Sequence, residues 1–144
     1  MSEPTVKQAV HTPTAPHPAG AYSQGVVASG FLYTAGFGPQ DPATGETPNG
    51  VAAQTAQVLR NIGAVLAEHG LTMRDVVKVT AHLQHLQRDF PEYDAAYRAF
   101  FAEPYPVRTT VGSDLMNILV EIDVVAVLPV ADDAPDTTRV RVVR

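Results

Sequence analysis

No cysteine occurs among the 144 residues, which excludes a disulfide framework, a thiolate nucleophile and a thiolate zinc site together. Long hydrophobic runs are missing too: no stretch approaches the roughly 18 consecutive apolar residues of a membrane span. The opening Met1-Ser2-Glu3-Pro4 lacks the basic and apolar regions of a signal peptide. A cytoplasmic location is therefore expected, and a membrane is not an expected partner. Positive charge is scarce, with 10 Lys and Arg against 15 Asp and Glu and a formal net charge of -5. The basic residues are scattered, and only Arg139, Arg141 and Arg144 gather as three. Phosphate neutralisation needs a concentrated Lys/Arg surface, so nucleic acid is not an expected partner.

What remains is a chain that is 45% hydrophobic and 17% charged, a balance that suits a globular domain and is too apolar for a disordered one. Its length fits one domain with short appendages. Residues 1–20 are rich in Pro, Thr and His without sustained periodicity and read as extended, the first 12 as a lead-in. The domain is expected to span residues 1–129, with residues 130–144 forming an acidic linker and tail.

Between them the periodicity changes several times. Residues 22–27 and 31–35 are β-favouring and are separated by Ala28-Ser29-Gly30, which has the chemistry of a tight hairpin turn. Residues 36–50 carry so many Gly and Pro that only a loop is allowed, with Gly45 suited to a positive-φ position. Val51, Thr55, Val58, Leu59, Ile62, Val65 and Leu66 recur at three- and four-residue steps and predict a helix, with Asn49 as its cap and Gly70 at its end. Val77, Val79, Ala81 and Leu83 then alternate with Lys78, Thr80 and His82, as in a strand with one apolar side. Asp89 with Glu92 three residues on predicts a capped entry into a second helix carrying an aromatic stripe from Phe90 to Phe101. Two further strands are expected at 107–111 and 119–128. The order β-β-α-β-α-β-β describes an α+β sheet with both helices on one face. Its other face, which bears charged residues, is either solvated or a subunit interface enclosing a polar pocket.

Few residues stand out for chemistry. Arg108 lies inside a short β run and shares a face with Thr110. A guanidinium there can bind a carboxylate through two parallel hydrogen bonds, or it can be an edge-strand charge pairing with Glu121 or Asp123. Glu121, between Val120 and Ile122, is either the solvent side of an alternating strand or a carboxylate that holds water and shuttles protons. Histidines 11, 17, 69, 82 and 85 show no metal-like spacing, so no metal is expected. Ser23 and Ser113 lack the surroundings of a nucleophilic serine.

Several segments in order resemble the YjgF, or Rid, family: residues 18–24 (Pro-Ala-Gly-Ala-Tyr-Ser-Gln), Thr34-Ala35-Gly36, residues 41–46 (Asp-Pro-Ala-Thr-Gly-Glu), residues 106–112 (Pro-Val-Arg-Thr-Thr-Val-Gly) and Val120-Glu121-Ile122. The resemblance spans roughly residues 12–129. It implies a chorismate-mutase-like fold assembled as a homotrimer with sites at the subunit interfaces. It also implies that Arg108 anchors a substrate carboxylate, that Glu121 positions or activates water, that Tyr22 lines the pocket and that the backbone of Gly36 faces substrate. Thr110 falls at a variable small-residue position in the same pocket. Phe37 stands where relatives commonly have Gln, Ala21 where they have Pro, and residues 114–118 replace a usual Leu-Pro loop. These departures concern the pocket mouth and hence the substrate range.

The activity implied is hydrolysis of 2-imino acids to 2-oxo acids and ammonia, with no cofactor and no metal. A non-catalytic trimer that binds small carboxylates, or regulates through them, is the alternative from another class, favoured by Phe37. A ribonuclease or translation inhibitor is a further one, disfavoured by the acidic balance.

Overall fold

The computed structural model describes residues 6–130; of the expected linker and tail, residues 131–144 lie outside this range. Six strands form one mixed sheet: β1 Gln8–Val10, β2 Gly25–Ala28, β3 Phe31–Thr34, β4 Val76–Leu83, β5 Val107–Gly112 and β6 Val120–Val127, in the spatial order β1-β2-β3-β6-β4-β5. Only β4 and β5 run parallel, joined through helix α2 (Leu86–Arg98); α1 (Val51–Ala67) joins β3 to β4. This is the chorismate-mutase-like α+β arrangement, with the expected β-β-α-β-α-β-β order preceded by one more strand. That strand is the first difference from the sequence reading, because Gln8–Val10 falls in the presumed lead-in. It has too few residues to show a period, and the unpaired edge of β2 recruits it, Ala9 opposite Val26.

Both helices cover the same face. Val120, Ile122, Val124 and Ala126 of β6 and Val79, Ala81 and Leu83 of β4 are buried beneath them with Val58, Leu59, Ile62 and Tyr93. In β4 the alternation slips. The pairing with β6 shifts register between Val76 and Lys78, so Val76 takes the inward slot at 5% exposure while Val77, expected inside, turns out at 40%. A bulge of this kind is invisible to a period-two count.

The hairpin between β2 and β3 is as expected: Ser29 and Gly30 both take positive φ, 52° and 88°, the geometry of the primed turn that matches strand twist. Helix α1 ends as expected as well. Gly70 has φ 70°, its N–H reaches Ala67 O, and Leu71 N–H reaches Leu66 O at 3.0 Å, a Schellman closure. Two helix starts differ. Gly50, not Asn49, is the cap of α1 and makes no side-chain cap bond. Helix α2 begins at Leu86 behind His85, leaving Asp89 and Pro91 inside it, and it stops at Arg98. Asp89 spends its carboxylate on Arg88, with Oδ1 2.8 Å from Nε, and is not available as a cap.

Candidate functional site

The residues singled out by sequence separate into two groups on opposite faces of the sheet. Register decides the matter for the first. Arg108 is opposite Val79 and Thr110 opposite Ala81, and both valine and alanine point towards the helices, so Arg108 and Thr110 point that way too, at the edge strand under α2. Tyr93 and Thr110 share a hydroxyl bond of 3.2 Å. The Arg108 Nη1 donates to Asp94 Oδ1 at 2.8 Å, and the guanidinium lies 4.5 Å from the Tyr97 ring centroid, 5.6 Å from Tyr93 and 5.8 Å from Phe90. The structural partner of Arg108 is therefore Asp94, neither Glu121 nor Asp123.

This setting shapes the charges. Burial favours the neutral form of Asp94, but hydrogen bonds from Arg108 and Arg98 outweigh it and hold the carboxyl below the usual carboxylate range. Burial likewise disfavours the Arg108 cation, and the Asp94 hydrogen bond reverses the effect and raises it. Tyr97 is pushed up to about 12 by burial, against the pull of Arg108. The group opens onto a cleft of about 310 Å³ bounded by Tyr97, Arg98, Tyr105 and Pro106. Since Arg108 keeps donors that no described residue accepts from, the cleft can take a carboxylate.

The second group sits across the sheet. Glu121 pairs with His82 on the helix-free face, and the backbone of Phe37 joins β6 beside it: Phe37 N–H to Ile122 O at 2.8 Å, Ile122 N–H to Phe37 O at 3.2 Å. That bridge brings Gly36 onto Glu121 so closely that a Cβ on residue 36 would stand 2.5 Å from Glu121 Oε2. Tyr22, 52% exposed, accepts a bond from Ala19 N–H on its hydroxyl at 3.1 Å. Tyr22, Gly36, Phe37 and Glu121 line one cleft of about 440 Å³ with His17 and Met116. Phe37 itself is only 5% exposed; most of its ring belongs to the core. A carboxylate, a phenol and an open backbone can hold water and a small polar ligand here.

Buried amides that the sequence reading did not single out hold these walls. Gln24 donates to Thr12 O, Ala15 O and Pro16 O and accepts from Thr12 N–H at 2.7 Å, fixing the segment beside Tyr22. Asn61 on α1 donates to Gly38 O and Gln40 O at 3.0 and 2.9 Å. Gln54 donates to Pro48 O and accepts from Leu119 N–H at 2.8 Å. For Gln54 and Asn61 the signal is a polar residue inside an apolar helix stripe, which local pattern marks as an exception without naming its partner; Gln24, just ahead of β2, carries no such signal. Asp94 was likewise missed, since a helix-face Asp resembles any solvated charge.

The rest of the helix-free face is mixed. Val107, Val111, Val127 and Tyr33 are exposed on it, beside Lys78 and Thr80. His82 Nδ1 lies 2.6 Å from Ser113 Oγ, and burial raises the Asp123 carboxyl. Among the described residues no group of three His, Cys, Asp or Glu could hold a metal, and no helix is long and apolar enough to cross a membrane.

Comparison with known proteins places this geometry in company. The family described as endoribonuclease L-PSP matches residues 12–128. A RutC family protein of Pyrococcus horikoshii is 40% identical, covering 84% of this chain and 98% of its own length. The 2-iminobutanoate/2-iminopropanoate deaminase of Escherichia coli is 36% identical over 85% of this chain and 98% of its own. The crystal structure of Escherichia coli TdcF with bound serine superposes with a TM-score of 0.79 at 32% identity, covering 85% of this chain and 99% of that one.

Proposed function

The chain belongs to the endoribonuclease L-PSP family, also called YjgF, RutC or Rid, and we propose that it hydrolyses 2-imino acids to 2-oxo acids and ammonia at sites shared between subunits of a homotrimer. The observation that carries the reading is the splitting of the site. One chain presents a carboxylate anchor without a water-holding group on one sheet face, and a water-holding group without an anchor on the other. Apolar and polar groups together make the helix-free face a candidate interface, and a surface of this kind is normally covered. A cyclic assembly sets the Arg108 cleft of one subunit against the Glu121 cleft of the next.

In that composite site Arg108 takes the substrate carboxylate through two parallel bonds, which places the imine carbon beside the water on Glu121. Glu121 accepts a proton as the water oxygen bonds to the imine carbon, and returns it to nitrogen. From the resulting carbinolamine Glu121 moves the hydroxyl proton to the amino nitrogen as the C–N bond breaks, so ammonia leaves and the C=O of the 2-oxo acid remains. Tyr22, the backbone of Gly36 and Thr110 close the pocket, and the small exposed portion of Phe37 bears on substrate size. No cofactor or metal enters this sequence. Nucleic acid is a poor fit, given the net charge of -5.

A non-catalytic carboxylate binder is the second reading, and the pairing of Arg108 with Asp94 is the feature that favours it. One experiment separates the two. An amino-acid oxidase generates 2-imino acids in the presence of the purified protein, and a nucleophilic trap reports how long they survive. Faster loss of imine supports the deaminase. Unchanged imine lifetime with saturable binding of the 2-oxo acid supports the binder.

A further inference from the structure

We propose that Asp94 is the positioning residue for the carboxylate anchor: it sets the in-plane rotation of the Arg108 fork so that one edge faces the substrate. The proposal rests on Arg108 being that anchor. To offer a bidentate edge, a guanidinium must have both the tilt of its plane and its rotation within that plane fixed. Tyr97, with its centroid 4.5 Å away, and Tyr93 and Phe90 at 5.6 and 5.8 Å can restrain the tilt, but a ring face does not distinguish rotations within the plane. Asp94 Oδ1, 2.8 Å from Nη1, does.

The acceptor is itself held. Oδ2 of Asp94 accepts from Arg98 Nε at 3.2 Å, one helical turn along α2, so the carboxylate is fixed at both oxygens. With one Nη1 donor committed to Asp94, the Nε–Nη2 edge of Arg108 makes no hydrogen bond with described residues, and it is the edge a substrate carboxylate would take.

Charge alone points the other way. A carboxylate beside Arg108 repels an incoming carboxylate, so if Asp94 acted only through its charge, removing it would tighten binding. The two effects have opposite signs, which makes them separable.

The test is calorimetric titration of 2-oxobutanoate into the wild type, Asp94→Ala and Asp94→Asn, with steady-state imine hydrolysis alongside. Asp94→Ala is expected to weaken Kd and raise KM about tenfold, the scale of one charge-assisted hydrogen bond, with a smaller change in kcat. Asp94→Asn retains an oxygen that accepts from Nη1 and is expected to stay within about threefold of the wild type. Equal losses in the two variants, or a Kd in Asp94→Ala equal to or tighter than wild type, overturn the proposal. A wild type that binds 2-oxobutanoate without hydrolysing imines removes the proposed function alone, since Kd still reports on Asp94. A wild type that does neither overturns both.

Discussion

Glu121 fills the space that a side chain on Gly36 would need. The distance from a Cβ at residue 36 to Glu121 Oε2 would be 2.5 Å, and to the carboxyl carbon 3.0 Å, both inside normal contact. The carboxylate is thus held against the backbone at the floor of its cleft. Gly36→Ala must push it away or strain the bridge of Phe37 to Ile122. It is expected to leave the protein folded, because the displaced atoms end a side chain, and to reduce imine hydrolysis at least about tenfold, as misplacement of a catalytic group does. Kinetics together with a thermal melt check it; an unimpaired enzyme would mean that the position of Glu121 is not critical.

Glu121→Gln keeps the shape and loses the proton relay. The variant is expected to retain assembly and 2-oxo acid affinity while hydrolysis slows by roughly 10²-fold, the lower range for general acid–base catalysis. Titration and turnover on the same preparation decide it, and an unchanged rate would reduce Glu121 to a structural residue.

The bulge in β4 makes a stability prediction. Val76 is buried and Val77 is not, so Val76→Ala is expected to cost about 1–3 kcal/mol and Val77→Ala within about 0.5 kcal/mol. Denaturant unfolding of the two variants measures both. The reverse ranking would restore the unbroken alternation that the sequence suggested.

That alternation shows where local pattern stops being informative. Helix α1, its glycine stop at Gly70 and the Ser29-Gly30 hairpin are legible because their causes are local: a 3.6-residue stripe, a positive φ, a two-residue turn. Strand β1 is not, since three residues acquire their structure only from the edge of β2. The residues proposed for the site come from the segments around Tyr22, Gly36, Arg108 and Glu121, and the structure shows on which sheet face each of them lies. Their arrangement is not legible in the sequence. Which face Arg108 shares depends on its register with Val79, and its partner Asp94 lies on the facing helix, so the charges nearest in pattern, Glu121 and Asp123, were the wrong candidates.

The pairing of Asp94 with Arg108 should also appear in the pH dependence of stability. A carboxyl whose folded pKa is depressed contributes stability that is present above its unfolded value, about 3.9, and is lost as pH falls through the folded value. Asp94 is shifted in that direction. Melting temperatures of wild type and Asp94→Asn should therefore differ most above pH about 4 and converge below it. A difference that grows on acidification would contradict the ion pair.

The central claim is that an active site takes Arg108 from one subunit and Glu121 from another. Arg108→Lys keeps the charge and loses the planar fork, and is expected to lower hydrolysis at least about tenfold, because lysine replaces two fixed contacts by one movable contact. Glu121→Gln is impaired for the separate reason given above. Co-refolding the two variants in equal amounts produces mixed assemblies, and in a cyclic trimer with random mixing roughly one site in four receives an intact Arg108 and an intact Glu121. The account predicts recovery to about a quarter of wild-type activity from two weakly active parents. A mixture no more active than the average of its parents would contradict it and place the whole site within one chain or nowhere.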